Sequence, residues 1–285
     1  MFKLMKNLFS LIIISIFAFS VTGQDGQDRA KENYKGDFTY DRNSFDERET
    51  IPYPHLREAD VMFSKRIQRI VDSREKKNLP IKWPKNPLNC IIYNAAKEGK
   101  ITPYRSDSLM SYYSKDELLD RGATEELQQY APQPVERPSF LVDTTIRNEF
   151  QCASIEKFQI KEDWIFDKES SQYYPRIIAI APVFKPKIEG QELNDQPLFW
   201  ADWSELREVL VNERMFNRHN DAMQMTYYDF FEQRMFSSYI IKEPNAFDLK
   251  IKDFEKYKGD PFAALLKAKE IKQDLFEWEH DLWQY

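Results

Sequence analysis

The residues that could carry chemistry are few and scattered. The three histidines, His55, His219 and His280, lie far apart, and no two have the spacing of a metal-ligand pair on a helix. Glu277 and His280 form one Glu-x-x-His pair, whereas a di-iron carboxylate site needs two such pairs and further inward-facing carboxylates. The sequence therefore predicts no metal site, and an interaction at a helix end explains His280.

Motifs of the common enzyme and nucleotide-binding classes are also missing. Only seven glycines are present, three of them before residue 40, so no glycine-rich phosphate loop can form. The chain also lacks His-Glu-x-x-His, Gly-x-Ser-x-Gly and Cys-x-x-Cys. Acidic residues are plentiful, but nothing ranks one carboxylate pair above another. We therefore predict no catalytic residue and no cofactor.

The composition is that of a folded, mildly acidic protein. The 285 residues include 41 Lys and Arg, 47 Asp and Glu, 42% hydrophobic residues and 15% aromatic residues. No long basic cluster is present that could neutralise phosphates. Nucleic acid is therefore excluded as a predicted partner.

The first 23 residues predict export. Lys3 and Lys6 precede an apolar stretch over residues 8–21, which is shorter than a membrane span of about 20 residues and suits the core of a signal peptide. The alternative is an uncleaved anchor helix. No cysteine lies near the expected cleavage point after Gly23, so we expect no N-terminal lipid. The sequence shows no second apolar stretch of membrane-spanning length, so we expect no direct membrane span after cleavage.

Residues 24–50 are predicted to form a flexible charged arm. They include thirteen charged residues and few aliphatic ones, so the segment cannot bury enough surface to fold by itself. Tyr34 and Phe38 are two of four aromatic residues spaced along it. The arm is either a solvated tail or a segment whose aromatic side chains, Tyr34 and Phe38 among them, bind a neighbouring subunit.

The chain contains two cysteines, Cys90 and Cys152. In an oxidising compartment a disulfide between them is permitted. The alternative is that both are small buried hydrophobic residues. The sequence leaves this open, because it does not give the distance between the two Cβ atoms.

A helical N-terminal lobe is predicted for residues 51–129. Apolar residues at helical spacing predict one amphipathic helix over 58–78. A second helix, over 86–99, begins with Asn-Pro and ends with Gly. A short strand over 101–104 and a short capped helix over 114–119 follow.

A Pro-rich connection over 130–148 is predicted to lead to a second lobe, residues 149–285. Alternating apolar and polar residues over 157–166 predict a half-exposed strand, and the apolar run over 176–183 predicts a strand covered on both faces. Together they indicate an antiparallel hairpin at the centre of a sheet.

The remaining elements complete an α+β fold: a helical N-terminal lobe, then a mainly antiparallel sheet with flanking helices and a long C-terminal helix. Two helices are predicted to begin at Asp202 and Thr226, and the long one begins at Asp260. The spacing along the long helix predicts one buried face, formed by Leu265, Ala268, Ile271, Leu275, Trp278 and Leu282. Phe276 and Trp283 lie at the edge of that face, where a partner interface is predicted.

Six segments, taken in order, carry a family resemblance: IVDSREK (70–76), AAKEGKIT (95–102), IKEDWIFD (160–167), RIIAIAP (176–182), FSSYIIKE (236–243) and EHDLW (279–283). Together they resemble the gliding-motility protein N family, GldN or PorN. The match spans about residues 50–285 and leaves the charged arm out.

The resemblance implies a non-enzymatic structural subunit of the type IX protein secretion and gliding motility machinery. The implied location is the periplasm, at the inner face of the outer membrane. The implied partners are an outer-membrane lipoprotein of the GldK or PorK type, with which the subunit forms a large hetero-oligomeric ring, and an inner-membrane-anchored protein of the GldM or PorM type. Two alternatives remain: an exported enzyme with an unrecognised carboxylate site, and a periplasmic ligand-binding protein that uses Trp200 and Trp203 as a platform.

Overall fold

Antiparallel strands form the centre of the protein. The computed structural model describes residues 48–130, 142–148, 150–188, 191–192, 194–218, 220 and 222–282. Within those ranges the strands are β1 (Val61–Asp72), β2 (Pro103–Tyr104), β3 (Thr124–Tyr130), β4 (Val142–Asn148), β5 (Lys157–Asp167), β6 (Gln172–Phe184), β7 (Lys187–Ile188), β8 (Gln191–Glu192), β9 (Gln196–Pro197), β10 (Trp200–Asp202), β11 (Arg214–Met215), β12 (Met225–Thr226) and β13 (Tyr239–Lys242). The α-helices described are α1 (Leu88–Glu98), α2 (Lys115–Gly122), α3 (Trp203–Leu210), α4 (Tyr227–Glu232) and α5 (Pro261–Asp281).

Seven strands form the main sheet, in the order β13-β1-β5-β6-β10-β2, and β9 pairs with the end of β6. Every pairing in this sheet is antiparallel. The predicted central hairpin is confirmed, because β5 and β6 pair along their whole length, from Lys157 with Val183 to Asp167 with Gln172. The predicted α+β class is confirmed as well.

The predicted first helix over 58–78 is wrong, because most of this segment is β1, which lies between β5 and β13. Phe63, Ile67 and Val71 share one face of β1 at a spacing of four residues, which fits a helix as well as a strand. Arg69 lies between them on the same face and is buried. This charged residue at a core position conceals the alternation that would otherwise predict a strand.

Most helix boundaries follow the predicted caps, but the predicted start of α1 at Asn86-Pro87 is wrong, because Pro87 is the cap and the helix begins at Leu88. Gly99 ends α1 with φ 79°, in the left-handed region that favours glycine. Ser114 and Thr226 begin α2 and α4 with capping boxes, in which a carboxylate three residues later binds back to the cap. Asp260 begins α5 by accepting hydrogen bonds from the next two free backbone N–H groups.

One face of the sheet carries two apolar clusters. Phe158 and Ile160 of β5 belong to the larger cluster, which packs against α1, α3 and α4. Trp164 and Phe166 lie on the same face of β5 and belong to the smaller cluster, which packs against α5. Between them on this face lies Glu162, so a charged side chain separates the two clusters.

The larger cluster contains residues from both sides of the predicted Pro-rich connection, such as Ile92 and Phe230. Strands β3 and β4 pair with each other as a hairpin on either side of residues 131–141. Those residues lie outside the described part of the chain. A lobe boundary in this segment stays a prediction.

A disulfide joins Cys90 in α1 to Cys152, which follows β4. The two Cα atoms are 5.0 Å apart, within the range that a disulfide spans. The neighbouring Asn89 donates a hydrogen bond of 2.7 Å to the backbone oxygen of Cys152. The bridge therefore connects α1 to the base of the β3–β4 hairpin.

Candidate functional site

A buried group of charged side chains lies between the two apolar clusters. Arg69 of β1 forms an ion pair and hydrogen bond with Glu162 of β5, and both side chains are less than 5% exposed. Arg234, just after α4, places a guanidinium nitrogen 2.9 Å from the other carboxylate oxygen of Glu162. Trp164 donates its indole N–H to Glu162 at 2.8 Å. The Glu162 carboxylate therefore pairs with the guanidinium groups of both Arg69 and Arg234.

The surroundings keep Glu162 ionised. Burial by itself raises the pKa of this carboxyl, but the charges of Arg69 and Arg234, with the Trp164 hydrogen bond, outweigh burial and lower the pKa below its ordinary value. Both guanidinium carbons also lie 5.6 Å from the centre of the Trp164 ring, where cation–π attraction acts.

Arg234 is held in place by its backbone. Its φ of 51° lies in the left-handed region, which is strained for a residue with a side chain. The next residue, Met235, donates its N–H to the backbone oxygen of Phe230, which closes the end of α4 around Arg234. The local fold therefore fixes the backbone from which Arg234 reaches Glu162, and the side chain itself is held by the ion pair with Glu162 and by the Trp164 and Phe236 rings.

The two arginines line a pocket of about 270 Å³ between the sheet and α5. We call it the basic pocket; its other charged and large aromatic lining residues are Lys77, Trp164, Phe236, Lys272, Phe276 and Glu279. Lys77 and Lys272 are exposed, so they lie at its rim, and neither has an ion-pair partner within the described ranges. The two arginines and two lysines thus outnumber the two nearby carboxylates, Glu162 and Glu279. This excess of positive charge occurs in a protein whose net charge is −6.

Helix α5 is attached to the sheet by a narrow stripe. Ala268, Ile271 and Leu275 are buried, as predicted. The prediction that Leu265 and Trp278 are buried is wrong, since they are 51% and 41% exposed. The smaller cluster is too limited in extent to cover the full length of the helix. Phe276, predicted at the edge of the buried face, is 65% exposed and lies at the rim of the basic pocket.

The segment that follows the predicted arm is anchored to the protein by Tyr53. Its hydroxyl donates to Glu232 and accepts the indole N–H of Trp203 at 2.9 Å. Arg176 and Arg207 lie 5.3 and 4.9 Å from the centre of its ring. Burial, together with the hydrogen bond to the Glu232 carboxylate, raises the pKa of Tyr53, so the phenol stays protonated. This segment therefore has a fixed path over α3.

A family model described as gliding motility associated protein GldN matches residues 56–284 of this sequence. The chain belongs to the GldN family. It is therefore a gliding-motility-associated protein, and the resemblance found in its six segments is confirmed. No individual curated protein matches the sequence. All residues of the basic pocket lie inside the range that matches the GldN family, whereas the N-terminal arm lies outside it.

In this GldN-family chain, most residues of the predicted partner interface lie outside the described ranges. They are Tyr34, Phe38 and Trp283, and their role stays a prediction. Phe276 is described and exposed. The sequence analysis did not identify Arg69, Glu162 or Arg234 as site residues. Arg69 and Glu162 interrupt the apolar patterns of β1 and β5, and Arg234 follows the apolar residues of α4. The signal that could have found them is a charged residue at a core position in each of two neighbouring strands.

Trp200 and Trp203 are both buried, so they form no platform for a ligand, and that alternative is wrong. Among the residues that the structure describes, no group of three or more His, Cys, Asp or Glu side chains could hold a metal ion. Nor does any described helix combine the length and apolar character needed to cross a membrane.

Replacing Tyr53 with alanine is expected to release the segment it anchors. The variant loses two hydrogen bonds and two cation–π contacts, so we expect the free energy of unfolding to fall by about 2 kcal/mol. Urea unfolding measures the loss, and limited proteolysis is expected to cut near residues 49–57 earlier than in the unaltered protein. His55→Ala changes an exposed residue of the same segment and is the matched control. Equal behaviour of the two variants would contradict the anchoring role.

Proposed function

We propose that this protein is a non-enzymatic structural subunit of a periplasmic ring in the type IX protein secretion and gliding motility machinery. In this proposal an outer-membrane lipoprotein of the GldK or PorK type holds the ring at the inner face of the outer membrane. A protein of the GldM or PorM type, anchored in the inner membrane, contacts it. Its mechanism is assembly, with no chemical turnover.

Membership of the GldN family supports a place in the gliding machinery. The Cys90–Cys152 disulfide supports an oxidising compartment, since such bonds persist in the periplasm and are rare in the cytoplasm. The predicted signal peptide over residues 1–23 points to the same compartment. These observations are independent of one another, and the periplasmic assignment rests on all three.

The observation that carries the proposal is the outer surface of α5. Four large apolar side chains on this one helix are each more than half exposed: Phe262, Leu265, Leu266 and Phe276. Apolar side chains gathered on a surface often mark protein interfaces, and aromatic ones are enriched at the residues that dominate binding. A ring subunit needs such surfaces, because each copy must bind unlike patches of its neighbours.

The test is a pull-down of the tagged full chain from detergent-solubilised envelope, with mass spectrometry and negative-stain imaging of the product. We expect an outer-membrane lipoprotein and ring-shaped particles. The variant Phe262→Ser/Leu265→Ser/Leu266→Ser is expected to lose the particles, while its thermal unfolding stays close to that of the unaltered protein. Phe247→Ser removes an equally exposed aromatic residue outside α5 and is the control.

A monomer without a partner would overturn the proposal, provided that other envelope complexes remain intact in the same preparation. Rings that form equally well from the α5 variant and from the control would show that α5 is not the contact surface.

A further inference from the structure

We infer that the basic pocket binds an acidic segment of a partner protein, with one carboxylate among the cationic side chains and a neighbouring apolar side chain against Phe276. This inference rests on the proposed function, because it assigns the chemistry of one of the subunit's protein contacts.

The pocket has positive charge that the protein itself does not neutralise. Each guanidinium group has five N–H donors, and Glu162 takes one ion-pair contact from Arg69 and one from Arg234. Lys77 and Lys272 add two ammonium groups at the rim with no ion-pair partner in the described part of the chain. An incoming carboxylate would therefore meet several free donors.

The setting strengthens the attraction for such a group. Arg69 is buried, and Trp164 and Phe236 provide apolar walls beside the guanidinium of Arg234. Charges interact more strongly where protein displaces water, and arginine binds carboxylates in a planar two-point geometry. The ion pair with Glu162 and the contacts with Trp164 and Phe236 hold the guanidinium group of Arg234 in position before a partner binds.

The size of the pocket favours part of a protein segment over a free small molecule. Its volume of about 270 Å³ is below the range of about 300–1,000 Å³ typical of small-molecule sites. Glu162 and Glu279 leave two of the four positive charges uncompensated, which suits an acidic segment. The exposed Phe276 at the rim suits an apolar side chain next to that carboxylate.

The experiment places the photoreactive residue benzoylphenylalanine at position 276 of the full chain, in cells that assemble the machinery. We expect a crosslink to a different protein, at a segment in which Asp or Glu lies beside an apolar residue. The variant Lys77→Glu/Lys272→Glu is expected to reduce the crosslink yield about tenfold. Lys269→Glu, on the exposed surface of the same helix and outside the pocket, is expected to leave the yield unchanged.

Changing the partner's mapped acidic residue to Lys is expected to restore the crosslink in the Lys77→Glu/Lys272→Glu variant. The inference is overturned by a yield that the double variant leaves unchanged. A crosslink to lipid, to a second copy of this chain or to a segment without a carboxylate would overturn it as well. Thermal unfolding of each variant checks that the substitutions at these exposed lysines leave the fold intact.

Ring particles from the same cells separate this inference from the proposed function. Intact rings, together with a crosslink yield that Lys77→Glu/Lys272→Glu leaves unchanged, would refute only the carboxylate contact. The absence of rings and lipoprotein from the unaltered chain would refute the proposed function.

Discussion

Replacing Glu162 with alanine is expected to lower the free energy of unfolding by about 3–5 kcal/mol. The variant leaves Arg69 buried without a counter-charge and removes the ion pair of Arg234. A buried charge that has lost its partner is among the most destabilising single changes in a protein. Urea unfolding of the purified chain measures the loss.

The neighbouring residue provides the control. Asp163 points to the other face of β5 and pairs with Arg66, whose side chain is 57% exposed. Because water can replace that ion pair, Asp163→Ala should cost at most about 1 kcal/mol. Similar losses for the two variants would show that the buried cluster has no special part in stability.

The same cluster should make the stability depend on pH. The pKa of Glu162 is lower in the folded protein than its unfolded value of about 4.3, so its contribution is complete above that value. The contribution is lost as the pH falls through the lower, folded-state pKa. Glu162→Gln is therefore expected to show a smaller loss of stability on acidification than the unaltered protein. An equal slope in both proteins would contradict this assignment.

The double substitution Cys90→Ser/Cys152→Ser is expected to lower the free energy of unfolding by about 4 kcal/mol, as the chain-entropy relation gives for cysteines separated by 62 positions in the sequence. The bridge restricts the unfolded chain by closing this long loop. Urea unfolding with and without a reductant measures the effect on the unaltered protein. The reductant should have no effect on the double variant. Identical unfolding midpoints for the unaltered protein in both conditions would contradict the prediction.

The sequence predicted the elements whose patterns are local. The caps at Ser114, Thr226 and Asp260 and the stop at Gly99 follow from chemistry within a few residues, and all four are confirmed. The central hairpin follows from side-chain alternation and is also confirmed. What these features share is that nothing distant in the chain is needed to recognise them.

The buried ion pair explains both the wrong helix and the missed site. Arg69 stands at a core position of β1, so the strand has the apolar spacing of a helix. Its partner Glu162 stands at a core position of β5 opposite Ile67, diagonal to Arg69, and only tertiary pairing shows that each charge compensates the other. The basic pocket escaped prediction for the same reason, since its residues come from segments far apart in the chain.

The position of β1 in the sheet has a consequence for how the protein folds. Ile70 pairs with Gln159 on one side and with Tyr239 on the other. β1 lies early in the chain, whereas its partners β5 and β13 lie in the middle and near the end. Pairing between such distant segments slows folding. Until β13 has paired with β1, one edge of β1 has unpaired backbone groups that can bind strands of other molecules. Protection of this edge during biogenesis is therefore a requirement that the topology itself creates.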